Sequence, residues 1–157
     1  MRRARPGEKL GRPDETEGEL DEDVLAMVRT ALEAENCILA FQPVVQAGAP
    51  DRVAFYEGLI RVLDETGRII PAREFISRVE ETETGRLLDC IALEKGLRAL
   101  AEEPALRLSV NMSARSIGYK NWMNAMDRYL KKDATLGERL MLEINEASAM
   151  AMPELVI

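Results

Sequence analysis

Val53-Ala54-Phe55-Tyr56-Glu57-Gly58-Leu59-Ile60-Arg61-Val62 is an apolar, aromatic and β-branched run with one acid and one base inside it. Those residue types favour a pleated, half-buried strand. Side chains alternate along a strand, so Glu57, Leu59 and Arg61 share one face. That face offers a hard anionic oxygen, a small apolar wall and a guanidinium fork, a set suited to a metal ion beside a phosphate. The plainer reading is a strand end whose Glu57 and Arg61 pair with each other or with neighbours.

Other stretches on either side carry related groups. Leu106-Arg107-Leu108-Ser109-Val110-Asn111 alternates cleanly and ends on Asn111, and Leu140 to Glu146 reads as a strand with Glu143 embedded and Glu146 at its exit. Upstream, Cys37 to Val45 is a strand in which Pro43 implies an edge position or a bulge. Gln42 is the only polar side chain in that run and is either a solvent-facing residue or part of a site. Asp64 to Arg68 is a turn, Pro71 opens a helix with the stripe Phe75, Ile76 and Val79, and Leu87 to Leu100 marks another helix. Ile117 to Leu130 reads as a helix closing on Lys131 and Lys132, and a further one is expected near Pro153.

Strands alternating with helices imply a parallel sheet with right-handed crossovers. In that arrangement Glu57, Asn111 and Glu143 sit toward the C-terminal ends of three strands, where barrels and open α/β folds place their sites. Glu, Asn and Glu form a hard-oxygen set suited to Mg²⁺, Mn²⁺ or Ca²⁺. The alternative is three unconnected polar strand ends.

Composition narrows the field. The 157 residues allow one modest domain with a core. A net charge of −7 argues against duplex nucleic acid as partner, although divalent cations let an acidic chain hold a phosphorylated small molecule. There is no histidine, which removes Ser-His-Asp triads and the usual zinc sites. Cys37 and Cys90 sit singly in apolar sequence and read as buried small hydrophobes of a reducing compartment. No run reaches membrane-spanning length and no signal-peptide core is present, so a cytoplasmic protein without a membrane span is expected. Residues 1–20 hold few apolar groups and are expected to be a disordered leader or a linker from an upstream signalling domain, with the domain proper at 21–157. A helix starting near Asp21, with Asp21, Glu22 and Asp23 in its first turn, precedes the first strand.

Phe41-Gln42-Pro43-Val44-Val45, Glu57-Gly58-Leu59-Ile60-Arg61, Val110-Asn111-Met112-Ser113 and Leu142-Glu143-Ile144-Asn145-Glu146 resemble, in order, the signatures of the EAL domain family. Gly67-Arg68-Ile69-Ile70-Pro71, followed by Glu74-Phe75-Ile76, is similar to the segment after that family's second strand. The resemblance implies a TIM-like (β/α) barrel and metal-dependent hydrolysis of cyclic di-GMP to linear pGpG in bacterial signalling, with Mg²⁺ or Mn²⁺. It implies Glu57, Asn111 and Glu143 as metal ligands, Glu57 being catalytic. Gln42, Leu59 and Arg61 would hold the dinucleotide, and Glu146 would be a supporting acid.

The departures carry expectations too. Gly58 replaces the alanine that names the motif, and Asn145 and Ala147 replace a threonine and a serine. A (β/α) barrel needs roughly 250 residues, so the chain is expected to be about the first half of one, without the family's later paired aspartates, lysine, glutamate and glutamine. Alone it is expected to be inactive, and its open sheet edge to favour self-association or a complementary segment. The alternative is a remnant that binds cyclic di-GMP or a protein partner without turnover.

Overall fold

The computed structural model describes residues 13–144 and 146–151. Helix α1 (Pro13–Glu33) leads into a hairpin of β1 (Cys37–Gln46) and β2 (Ala49–Leu63). Only Ala47 and Gly48 join the strands, too short a link for a crossover, so the pair is antiparallel. The expected parallel sheet is thus joined at one edge by an antiparallel strand. Parallel pairing holds for the rest of the main path, where helical crossovers separate the strands. Pro43 lies on β1, an edge strand among those described, with bulges after Val44, as its chemistry requires.

Beyond the hairpin come β3 (Ile69–Pro71), α2 (Ile76–Val79), α3 (Glu83–Glu102) and β4 (Leu108–Met112). They are followed by α4 (Lys120–Leu130), α5 (Leu136–Arg139), β5 (Leu140–Ile144) and α6 (Glu146–Ala151). The sheet runs β1-β2-β4-β5, with β3 attached to β2. Strands β2, β4 and β5 are parallel, and β3 is antiparallel to β2.

Among the described residues, the helices pack on one face of the sheet. Leu93, Leu97 and Leu100 of α3 and Trp122 and Ala125 of α4 pack on Leu108, Val110 and Met112 of β4. Burial of each leucine, valine or methionine side chain here contributes about 1.5–3 kcal/mol. A second cluster, Val28, Val62, Phe75, Val79 and Leu88, ties α1 and α2 to β2 and α3. Because even-numbered β4 residues point into the core, Ser109 and Asn111 point to the opposite face. Both ends of α3 are fastened. Thr82 Oγ1 accepts from Gly85 N, and the Arg139 guanidinium donates to the carbonyl oxygens of Leu100, Glu103 and Leu106 at 2.9, 3.0 and 3.1 Å.

Two boundaries differ from expectation. Helix α1 begins at Pro13 rather than near Asp21, so residues 13–20, expected to be disordered, are helical. Proline is well suited to a first helical position, and Asp14 and Glu15 follow it in the first turn. Residues 1–12 lie outside the described ones. Helix α6 starts at Glu146, whereas Pro153 lies outside the described residues. Cys37 and Cys90 are buried and unbonded, and no helix among the described residues is long and apolar enough to cross a membrane.

The entry to α3 leaves no room for a side chain at Gly85. A Cβ there would collide with the Val79 carbonyl oxygen and lie 2.8 Å from Glu80 Cα, both backbone atoms. Gly85→Ala is expected to destabilise the chain by about 1–3 kcal/mol despite alanine's better helix propensity. Urea unfolding followed by circular dichroism measures this; an unchanged midpoint would contradict the packing described.

Candidate functional site

Strand register brings the singled-out residues into one row. Gln42 lies opposite Glu57, Glu57 opposite Ser109, and Asn111 opposite Glu143. Alternation places all of them on the face that the helices leave uncovered. Within this row Asn111 Nδ2 donates to Glu57 Oε1 at 2.9 Å, joining residues 54 apart in sequence. Leu59, opposite Ala40, and Arg61, opposite Ile38, continue the same face and are half-buried. Gln42, Asn111 and Glu143 are exposed, as is Glu146 at the first position of α6.

The plainer reading, in which Glu57 and Arg61 pair with each other or with neighbours, is met in part. Glu57 and Arg61 are four positions apart in one extended strand, ~13 Å by strand rise, and form no ion pair with each other. Glu57 instead accepts from its neighbour Asn111, which connects two of the three polar strand residues. One detail of the expectation is corrected: Glu57 sits mid-strand in β2, not near its end. What ends there is the β4 ladder, which covers only Tyr56 to Gly58.

That short ladder shapes the site. β1 occupies one edge of β2 along most of its length, so β4 and β3 must share the other edge, at Tyr56–Gly58 and Arg61–Leu63. Leu59 and Ile60 fall in the fork between them. A cleft of about 300 Å³ opens at this fork, lined by Leu59, Arg73, Glu80, Asp89, Asn111 and Ser113 among others. Parallel strands that part company at their carboxyl ends make such crevices.

Asp89 was not singled out by sequence. The available signal was an acid inside the apolar run Leu87-Leu88-Asp89-Cys90-Ile91. Its side chain is buried on α3, and its Oδ2 accepts from Ser113 N at 2.9 Å and from the Ser116 hydroxyl at 2.6 Å. Burial pushes its carboxyl up to about 6 against the pull of these two hydrogen bonds, and the charge of Glu80 adds to the rise.

Ser109, the register partner of Glu57, is fully buried and its hydroxyl has no hydrogen-bond partner. Among the described residues this is a buried polar group with no protein partner, of the kind a buried water satisfies. Among the described residues no three His, Cys, Asp or Glu side chains cluster as a metal site. The row instead offers two carboxylates with an amide oxygen between them, donors that fit a hard divalent cation in kind.

The raised Asp89 carboxyl makes stability depend on pH in a definite direction. Its folded value, about 6, lies above the reference 3.8, so its stabilising contribution is complete below about 4 and lost as pH rises through about 6. At pH 7.5 the buried charge costs about 3 kcal/mol. Asp89→Asn keeps an acceptor oxygen without the charge. It is expected to be more stable than the parent chain at pH 7.5, with the difference shrinking toward pH 4. Equal stabilities across that range in thermal melts would refute the assignment.

A comparison with curated proteins finds no match. Among solved structures, the FimX EAL domain of Pseudomonas aeruginosa bound to c-di-GMP is similar, with a TM-score of 0.70 and 28% identity over 85% of this chain and 54% of that one. The Xanthomonas citri FimX EAL domain in complex with c-di-GMP gives 0.72 and 21% over 90% and 56%. The PaMucR phosphodiesterase in its c-di-GMP complex gives 0.66 and 21% over 85% and 59%. The chain thus spans somewhat more than half the length of these three solved structures. The EAL domain family model covers residues 25–155, which takes in the whole row from Gln42 to Glu146, and the chain belongs to the EAL domain family.

Proposed function

We propose that the uncovered sheet face is a cyclic di-GMP site and that the chain contributes it to a metal-dependent phosphodiesterase yielding linear pGpG. The observation that carries this reading is the Glu57–Asn111 hydrogen bond, which gathers an acid and an amide from separate strands beside a cleft. Family membership and the c-di-GMP-bound structures with the same fold support the choice of ligand.

In this reading Glu57, Asn111 and Glu143 hold Mg²⁺ or Mn²⁺ through their oxygens. A divalent cation there supplies Lewis-acid stabilisation of charge developing on phosphoryl oxygens. Arg61 sets its guanidinium fork against a phosphate, and Leu59 gives a purine an apolar wall at the fork of the strands. Gln42, across from Glu57, supplies amide hydrogen bonds to the dinucleotide. Glu146 supports the row from the start of α6, and Glu57 is the residue on which turnover depends.

The row supplies donors for one cation, and in-line displacement between two cations needs more. Binding is therefore the first readout expected of the chain alone. This same observation favours a second reading, a binding module without turnover. A companion proposal concerns β5, whose one neighbour among the described strands is β4 and whose Leu142 is 41% exposed. A second copy or a complementary segment would cover it, and the mass from light scattering should then rise with concentration.

The test is calorimetric titration of cyclic di-GMP with Mg²⁺ or Mn²⁺, paired with chromatography for pGpG. Binding that needs the cation and weakens at least tenfold in Glu57→Ala and Arg61→Ala is the expected result. pGpG from the parent chain but not from Glu57→Ala would select the hydrolytic reading, and binding without product the modular one. Equal binding by all three chains would contradict both.

A further inference from the structure

We infer that Asp89 is a positioning residue for the Asn111 end of the site, acting through the turn Ser113–Ser116. The inference rests on hydrogen bonds within the chain, and it extends the reading above by naming what holds Asn111 in place.

Asn111 is the penultimate residue of β4, and the chain leaves the strand at Ser113 through a 3-10 turn, Ala114–Ser116. The direction of that exit fixes the last peptides of the strand and hence the pose of Asn111. The exit is held from two sides. On the α3 side, one oxygen of Asp89 accepts from both ends of the turn, Ser113 N at 2.9 Å and Ser116 Oγ at 2.6 Å. On the α6 side, Ser148 Oγ accepts from Ala114 N at 2.7 Å and lies 3.1 Å from Ser113 Oγ. Ser113 Oγ in turn accepts from Arg115 N at 3.2 Å. The turn is thus clamped between the helix before β4 and the helix after β5, the strand that bears Glu143.

An alternative role, stabilising the fold in general, fits the chemistry poorly. A buried carboxylate is a weak source of stability, because removing it from water offsets what its hydrogen bonds return. Its distinctive contribution is directional: an anionic oxygen draws two donors from the two ends of a turn to one point. Asp89 also lines the cleft beside Asn111, so a shift of the turn would alter the cleft as well as the row.

The experiment follows the side-chain amide of Asn111 by ¹H–¹⁵N NMR of the whole chain, assigned with Asn111→Ala. The methyl signals of Leu93, Leu108 and Val110 report the core. In Asp89→Ala the Asn111 amide pair is expected to move toward the position of a free carboxamide while those methyl signals stay dispersed. Asp89→Asn, which keeps an acceptor, should restore it, and Ser116→Ala should move it part of the way. If Asp89→Ala does not fold, the last two variants decide by the same signals. An Asn111 amide unmoved in Asp89→Ala or in Ser116→Ala, or moved only together with the core methyls, would overturn the inference. Mn²⁺ titration of the same samples separates it from the functional reading. Several-fold weaker binding in Asp89→Ala than in the parent agrees with both. A parent that binds no Mn²⁺, with the amide still moved by Asp89→Ala, sinks the metal reading and leaves the positioning role standing.

Discussion

The parallel pairing of β2 with β4, only Tyr56 to Gly58 long, is the constraint on which the rest of the site depends. It sets Glu57 beside Ser109, brings Asn111 within hydrogen-bond reach, and passes the register on to Glu143 through β5. Its shortness matters as much as its register. A longer ladder would fill the edge of β2 that β3 occupies, and the fork at Leu59 would close. Close packing enforces the pairing: a Cβ at Gly58 would meet Leu39 Cδ2 at 3.1 Å and Ser109 O at 3.2 Å. Glycine at this place, where the motif's name has alanine, therefore suits a strand drawn tightly between its neighbours.

Much of this was legible because period and chemistry coincide. Strand alternation alone put Glu57, Leu59 and Arg61 on one face, and the structure keeps them there. The hydrophobic stripes located α3 and α4, and the proline in β1 marked an edge strand. The family resemblance, carried by several separate motifs, was read from the same residues and agrees with the family model.

The unread part has physical causes. The direction of β1 hangs on a turn of only Ala47 and Gly48, easily passed over between two apolar runs. The start of α1 depends on a proline in a stretch with little hydrophobic signal. Asp89 escaped because a single acid in an apolar helix looks like an ordinary surface position until burial is known. Its partners, Ser113 and Ser116, sit in a turn and carry no periodic signal at all. Such residues act through hydrogen bonds between distant elements, which a pattern along the chain does not encode.

The row on the uncovered sheet face is backed by a second layer of hydrogen bonds at the Ser113–Ser116 turn, with α3 on one side and α6 on the other. The central claim is that Glu57, Asn111 and Glu143 act together on one cation beside the strand fork. Anomalous diffraction from crystals grown with Mn²⁺ and cyclic di-GMP tests this most directly. A peak among the oxygens of those three side chains, with a phosphate of the dinucleotide facing Arg61, is the result predicted. A dinucleotide bound elsewhere, or a cation held by other residues while this row stays free of metal, would contradict it.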